Sequence, residues 1–524
     1  MIRSATVLLL LLIAPAYTQP VAVAGFDPHL VTNVYATALA FMVPRTLEPV
    51  PVSQLTLWGL HGLTALDPNL ITDIKDGKLR LLTHGNLVIE RPPLSDTDID
   101  GWAAMASDFA AAAVASSTVV RHAGTQGVVQ SFFDELFNHL DPYSRYVAPS
   151  DADEDRERRV GSAGAGLQLV QRGPTVLVGS AVSDGPGALA GIRPGDAIIS
   201  IDGRTVHGKG ATAVAQMIAG PEQTHVILGW RARDGRTRSA EIERSMVPPE
   251  TVYTQRVGEM LLVQVTEFNH STAVHLSRAI EEGLANPRPP EGIVLDLRGN
   301  RGGLVRQAVE AADMLLPAGI VAITAGRDPE ANRIWRSARG ELAGTIPVVV
   351  LVDGRTASAA EILAAALADR GRGVVLGSST LGKGLVQTIS PLPDGGELFI
   401  TWSRVLAPRG WPIQGLGVLP QVCASLGPES LVRQLAELAE GRDPMAPAVT
   451  AERGLRAPVP PGQVLAIRNA CPAAEGRDSD LEAARALIHD PATYAAALLP
   501  PLRDRSETTS VVTGPSLVSA PKDH

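Results

Sequence analysis

The residues best placed to do covalent chemistry fall in three short stretches. Ser358 stands in Asp353-Gly354-Arg355-Thr356-Ala357-Ser358-Ala359-Ala360-Glu361, after the apolar run 348–352 and at the head of an alanine-rich segment. That order predicts a strand, a turn and then a helix with Ser358 near its N-terminus. There the helix dipole favours a negative oxygen, and the N–H of Ala359 has no intrahelical acceptor. A serine in this position is more commonly a plain N-cap. Glu361, three residues on, suits a capping box or a group that orients catalytic partners. Lys383 lies between Gly382 and Gly384. A lysine can take a proton from a serine only where burial or neighbours keep its amine neutral, and a lysine taken singly is normally solvated. Gln387, four residues further, falls on the same side of either a strand or a helix, within reach of that amine. The third stretch is Leu295-Asp296-Leu297-Arg298-Gly299-Asn300-Arg301-Gly302-Gly303. A glycine turn after an apolar strand can aim backbone N–H groups at a developing oxyanion. It equally suits a structural turn or a phosphate loop, although it has neither the Gly-Lys-Ser/Thr ending nor the Gly-x-Gly-x-x-Gly spacing.

A different chemistry is offered by Gly164-Ala165-Gly166-Leu167. Consecutive N–H groups in a glycine-containing loop can form an anion-binding concavity, and the apolar run 167–170 after it can pair with an extended peptide. An ordinary loop ahead of a small β domain has the same composition.

These stretches need scaffolds. With 524 residues, the chain calls for two to four domains. Residues 26–159 read as mostly helical, with Phe132, Leu136 and Leu140 spaced for one helical face and Asp141-Pro142 as the stop. The charged run 151–159 reads as a solvated connector. From 161 to 244 the texture turns to short β runs separated by glycine and aspartate turns. From 251 to 422 strands (260–265, 293–297, 348–352, 374–376) alternate with helices (273–284, 305–316, 359–368), the signature of a parallel α/β core. A helix to about 441, a proline-rich linker near 458–461 and a helical 478–499 follow, and 503–524 reads as a disordered tail.

A net charge of −9, spread along the chain, and 4% aromatics argue against nucleic-acid binding. Arg3, the apolar run 5–16 and Ala22-Val23-Ala24 look like a cleaved export signal over residues 1–24, with cleavage after Thr18 as an alternative; the run falls short of the ~20 residues a spanning helix needs. Export predicts a periplasmic location. Cys423 and Cys471, the two cysteines of the chain, are either a disulfide formed in an oxidising compartment or two buried thiols.

The run from Gly191 through Pro194-Gly195-Asp196 to Asp202-Gly203 resembles the signature of PDZ domains, whose carboxylate-binding loop corresponds to Gly164, Ala165, Gly166 and Leu167. The serine, lysine and glutamine motifs together resemble the carboxyl-terminal processing, or tail-specific, proteases. Gln414-Gly415-Leu416-Gly417-Val418-Leu419-Pro420 and Leu140-Asp141-Pro142-Tyr143-Ser144 fit the same family, and the resemblance covers roughly 132–422. Arg301 replaces a usual proline, and Leu385 a common serine. The resemblance implies an α/β multidomain chain: a helical region 25–159, a PDZ domain 160–247, a ClpP/crotonase-like protease core 248–425, and a helical region 426–502. It implies a serine endopeptidase with Ser358 as nucleophile, Lys383 as base, Gln387 orienting the lysine, and Gly302, Gly303 and Ala359 holding the oxyanion. No metal or cofactor is required. The partners implied are protein or peptide substrates with apolar C-termini, with an adaptor protein or a second copy of the chain as further candidates. Two other readings share parts of the pattern: a non-catalytic PDZ adaptor and a crotonase-type thioester lyase or hydratase.

Overall fold

The computed structural model describes residues 25–182, 184–338, 340 and 342–502. The export signal and the C-terminal tail expected from the sequence lie outside the described residues. Two compact units are present: residues 25–43, 49–148 and 390–398 form the first, and 44–48, 149–389 and 399–502 the second.

In the first unit, helices Val52–Leu66, Ile99–Ser116 and Thr118–Phe137 pack around an aromatic cluster. Tyr35 stacks on Phe132 at 4.0 Å, and Phe133 on Tyr146 at 5.0 Å. The unit is not purely helical. Leu70–Lys75, Lys78–Thr83 and Asn86–Arg91 form an antiparallel sheet. Its hairpins turn at Asp76-Gly77 and His84-Gly85, all four residues having positive φ, the geometry of tight primed turns.

The second unit begins with helix Pro149–Val160, where a connector was expected. A β module follows, in which Leu167–Arg172 is an edge strand beside Thr175–Ala181, and Asp202-Gly203 closes a tight hairpin between Ile201 and Arg204. Its core gathers Val176, Val178, Ile198, Leu228 and Trp230. The larger part is a six-stranded sheet in the order Val252–Val257, Met260–Val265, Gly292–Asp296, Val348–Val352, Val374–Gly377, Val422–Cys423, parallel except at the first strand. Alternating side chains divide between its faces. Val348, Val350 and Val352 face helices Thr272–Leu284, Val305–Leu315 and Ala359–Asp369. Val349 and Leu351 face Leu431, Ala484, Leu487 and Tyr494 from the C-terminal helices. Those helices complete the three-layer core, since a parallel sheet needs both faces covered. Helix Pro461–Ala470 starts where the sequence suggested only a proline-rich linker; proline at the first helical position is compatible with a start. Cys423 and Cys471 are joined by a disulfide. Among the described residues no helix is long and apolar enough to cross a membrane.

Candidate active site

Strand Val348–Val352 delivers the chain to a loop built on Asp353. One oxygen, Oδ1, accepts from the N–H groups of Gly299 (3.0 Å), Arg355 (3.0 Å) and Thr356 (2.9 Å). The Thr356 hydroxyl donates to the Leu297 carbonyl at 2.9 Å, and the Ala357 N–H to the Asn300 carbonyl at 2.9 Å. The serine loop is thereby fixed to the glycine turn. Ser358 follows with φ 57° and ψ −117°, a conformation rare for a side chain-bearing residue and costing on the order of 1–3 kcal/mol. It is half-buried and immediately precedes helix Ala359–Asp369, every residue of which is buried. As the first helical residue, Ala359 has an N–H with no acceptor inside the helix.

Glu361 is wholly buried and joins the serine to the lysine. Its Oε2 accepts from the N–H of Ser358 at 2.7 Å and of Lys383 at 2.9 Å. Its Oε1 accepts from the Gly382 N–H at 2.7 Å and from the Thr380 hydroxyl. The amides of Ser358 and Lys383 therefore converge on one atom, although 25 positions separate the residues in the chain. Burial pushes the Glu361 carboxyl above its ordinary range, against the pull of its four donors.

Lys383 is half-buried in the loop 378–384, ahead of strand Leu385–Pro391. The loop is shaped by Gly382, at φ +88°, which packs against Gly415 and Gly417. Gly384 donates to Gln414 Oε1 at 2.9 Å, and Val418 N–H to the Thr380 hydroxyl at 2.7 Å. The 414–420 motif is thus the bed of the lysine loop. Gln387 lies on the following strand; its Nε2 donates to Thr401 Oγ1 at 3.0 Å and to the Leu385 carbonyl at 3.2 Å.

In the glycine turn, the two candidate glycines differ. Gly302 is buried, and its N–H is taken by Asn300 Oδ1 at 2.8 Å. What it contributes is space: at φ +100°, a Cβ there would meet Ser358 Cβ at 2.8 Å and Ala359 N at 3.0 Å. Gly303 is exposed at φ +134°, beside the Phe268 backbone. Replacing Gly302 by alanine should lower kcat about 100-fold, because Ser358 and the helix terminus must both shift; steady-state kinetics beside a thermal melt checks this.

The peptide-loop residues are also brought together. Gly164, Ala165, Gly166 and Leu167 line a cavity of about 400 Å³ with Ala215 and Ile218. Helix Pro149–Val160 borders it through Glu154, Glu157 and Arg158, so the charged run 151–159 is more than a connector. Asp353, Thr356, Asn300 and Thr380 carry the site's hydrogen bonding but were not singled out from the sequence. Their signal was only adjacency to the motifs.

The sequence model of Peptidase family S41 matches residues 259–423, and that of the PDZ domain matches 177–231. The carboxy-terminal-processing protease of Bartonella bacilliformis is 31% identical over 303 residues, covering 57% of this chain and 69% of that protein. The chain belongs to peptidase family S41, the carboxy-terminal processing proteases. Another S41 relative, carboxy-terminal processing protease CtpA of Bacillus subtilis, is 33% identical over 306 residues, spanning 57% of this chain and 63% of its own length. The solved photosystem II D1 C-terminal processing protease aligns over 72% of this chain and 97% of its own at 26% identity, with a TM-score of 0.35. As an S41 member with a PDZ domain, the chain is a serine-type peptidase.

Proposed function

We propose that this peptidase is an endopeptidase using Ser358 and Lys383 as a nucleophile–base pair, on exported proteins chosen by their C-terminal ends. The observation that carries the reading is the buried Glu361 carboxylate, which gathers the backbone of both residues. The neutral Lys383 amine takes the Ser358 proton as Oγ attacks the substrate carbonyl. The oxyanion is held by the N–H groups of Ala359 and Gly303, and Gly302 keeps that space clear. The C–N bond breaks as the lysine returns its proton to the leaving amine, and water activated by the same lysine releases the acyl group. Gln387, four residues after the lysine and anchored to Leu385 and Thr401, orients Lys383.

The edge strand Leu167–Arg172 and the cavity at Gly164 to Leu167 support capture of an extended C-terminus, its carboxylate in the loop and its apolar last side chain against Ala215 and Ile218. The domain division (PDZ 160–247, protease core 248–425, flanking helical regions), the export signal and a periplasmic location belong to the same proposal. The Cys423–Cys471 disulfide favours an oxidising compartment.

The test is cleavage of an unfolded protein ending in an apolar residue, against the same protein with its terminal carboxylate amidated. Amidation should raise KM about ten-fold or more, because charge-assisted bonds in the loop are lost. Equal kinetics for the two substrates would remove the tail-reading role.

A further inference from the structure

The segment 468–480 follows the residues matched by the S41 sequence model, yet it bonds to all three loops of the candidate site. Against the lysine loop the contacts run residue by residue. The Ser378 hydroxyl donates to the Ala474 carbonyl at 2.9 Å and accepts from the Ala474 N–H at 3.0 Å. The Ser379 hydroxyl donates to the Cys471 carbonyl at 2.5 Å. Arg468 Nη1 donates to the carbonyls of Thr380 and Leu416, each at 2.9 Å, with Gly415 O at 3.5 Å. In the serine loop, the Gly354 N–H donates to the Ala474 carbonyl at 2.8 Å. In the glycine turn, Arg298 Nη1 donates to the Arg477 carbonyl at 2.7 Å and to Asp480 Oδ2 at 3.3 Å. The segment is tied down by the disulfide from Cys471 to Cys423, on the strand beside Gly377, the residue from which the lysine loop departs. Both cysteines are fully buried.

We propose that this segment is a brace for the catalytic loops, with Arg468 the positioning residue that sets Lys383 against Ser358. The inference rests on the Ser358–Lys383 reading above. Thr380 is the point of action: its hydroxyl is held by Glu361 and its carbonyl by Arg468, one residue before the turn through Leu381 and Gly382 to Lys383. All three carbonyls gather on Nη1 alone, so a lysine ammonium reaching the same place restores part of the hold. Loss of the arginine frees the Thr380 carbonyl, while Ser378 and Ser379 before it and Glu361 beyond it still hold the loop. The lysine is then displaced by a fraction of an ångström, and the cavity at Gly164 to Leu167, which Arg468 does not line, is untouched.

The experiment is steady-state kinetics of the full chain carrying Arg468→Met, with Arg468→Lys, Ser358→Ala and the Cys423→Ala/Cys471→Ala pair alongside. Arg468→Met is expected to lower kcat about 10–100-fold with KM within about two-fold and binding of a C-terminal peptide unchanged. The alkaline or acid limb of its kcat–pH profile should move relative to wild type, and Arg468→Lys should recover part of the rate. The cysteine pair should reproduce the kcat loss more weakly, and it carries the test if Arg468→Met does not fold. An unchanged kcat and pH profile in Arg468→Met, with Ser358→Ala inactive, overturns the brace alone. A fall in kcat matched by an equal loss of peptide binding and of the folded fraction also overturns it, since the arginine would then be only a structural anchor. Activity surviving in Ser358→Ala overturns the dyad and the brace together.

Discussion

Ser358→Ala and Lys383→Ala are each expected to reduce kcat/KM by about 10⁴-fold or more, with both variants folded and KM little changed. The proposed oxyanion donors are backbone N–H groups that both variants keep, so binding and oxyanion stabilisation persist as a residual rate. The combined variant should be no slower than the worse single one, because a nucleophile without its base and a base without its nucleophile fail at the same step. Lys383→Arg should not recover activity: a guanidinium keeps its charge at any working pH and cannot accept the serine proton. Initial rates on an unfolded protein substrate, with circular dichroism of each variant, check all four. A Ser358→Ala enzyme retaining a tenth of wild-type activity would sink the assignment.

The second large effect is expected at Glu361. Glu361→Ala leaves three backbone N–H groups and one hydroxyl without their acceptor, each costing about 1–3 kcal/mol where buried. We expect a marked fall in melting temperature and a loss of kcat of at least about 100-fold. Glu361→Gln keeps the shape and one acceptor oxygen, but turns an NH₂ toward N–H donors, and should fall between. The pH dependence separates activity from stability. Burial raises the folded carboxyl above its unfolded value, so the folded state binds more protons in the interval between the two. Within that interval stability falls as pH rises. Activity rises over the same interval, because only the carboxylate accepts all four bonds. The need for a neutral Lys383 amine limits both enzymes as pH falls; the wild type should show a further loss, above the ordinary carboxylate range of about 4.3, that is absent in Glu361→Gln. Identical acid profiles in the two enzymes would remove Glu361 from the pH dependence.

The parallel core was legible because its strands are short apolar runs alternating with helical periodicity, and the observed bounds differ from the expected ones by a residue or two. The small sheet in the first unit was missed, although Asp76-Gly77 and His84-Gly85 between alternating leucines are hairpin signals; the leucine-rich helix before them dominated the reading. The run 151–159 reads as a connector yet lies in helix Pro149–Val160, because charge reads the same on a solvated loop and a solvated helix. At the site, Ser358, Lys383 and the glycine turn are legible through the family resemblance that their motifs carry together. Which glycine offers its amide is not, because Asn300 takes the Gly302 N–H through a side chain contact that no motif encodes. Glu361 suits a helix cap or a group that orients catalytic partners, and its reach to Gly382 and Lys383 depends on tertiary packing. The brace was invisible for the same reason. Arg468 and Thr380 lie 88 positions apart, and a cysteine pair carries no distance in its sequence.

The central claim, that Lys383 activates Ser358, is most directly tested by reacting the folded protein with a fluorophosphonate and mapping the adduct by mass spectrometry. The account predicts one label per chain on the peptide containing Ser358, and loss of that label in a folded Lys383→Ala variant. A wild-type enzyme that cleaves protein yet carries no adduct at Ser358, or a Lys383→Ala variant labelled at the wild-type rate, would contradict it.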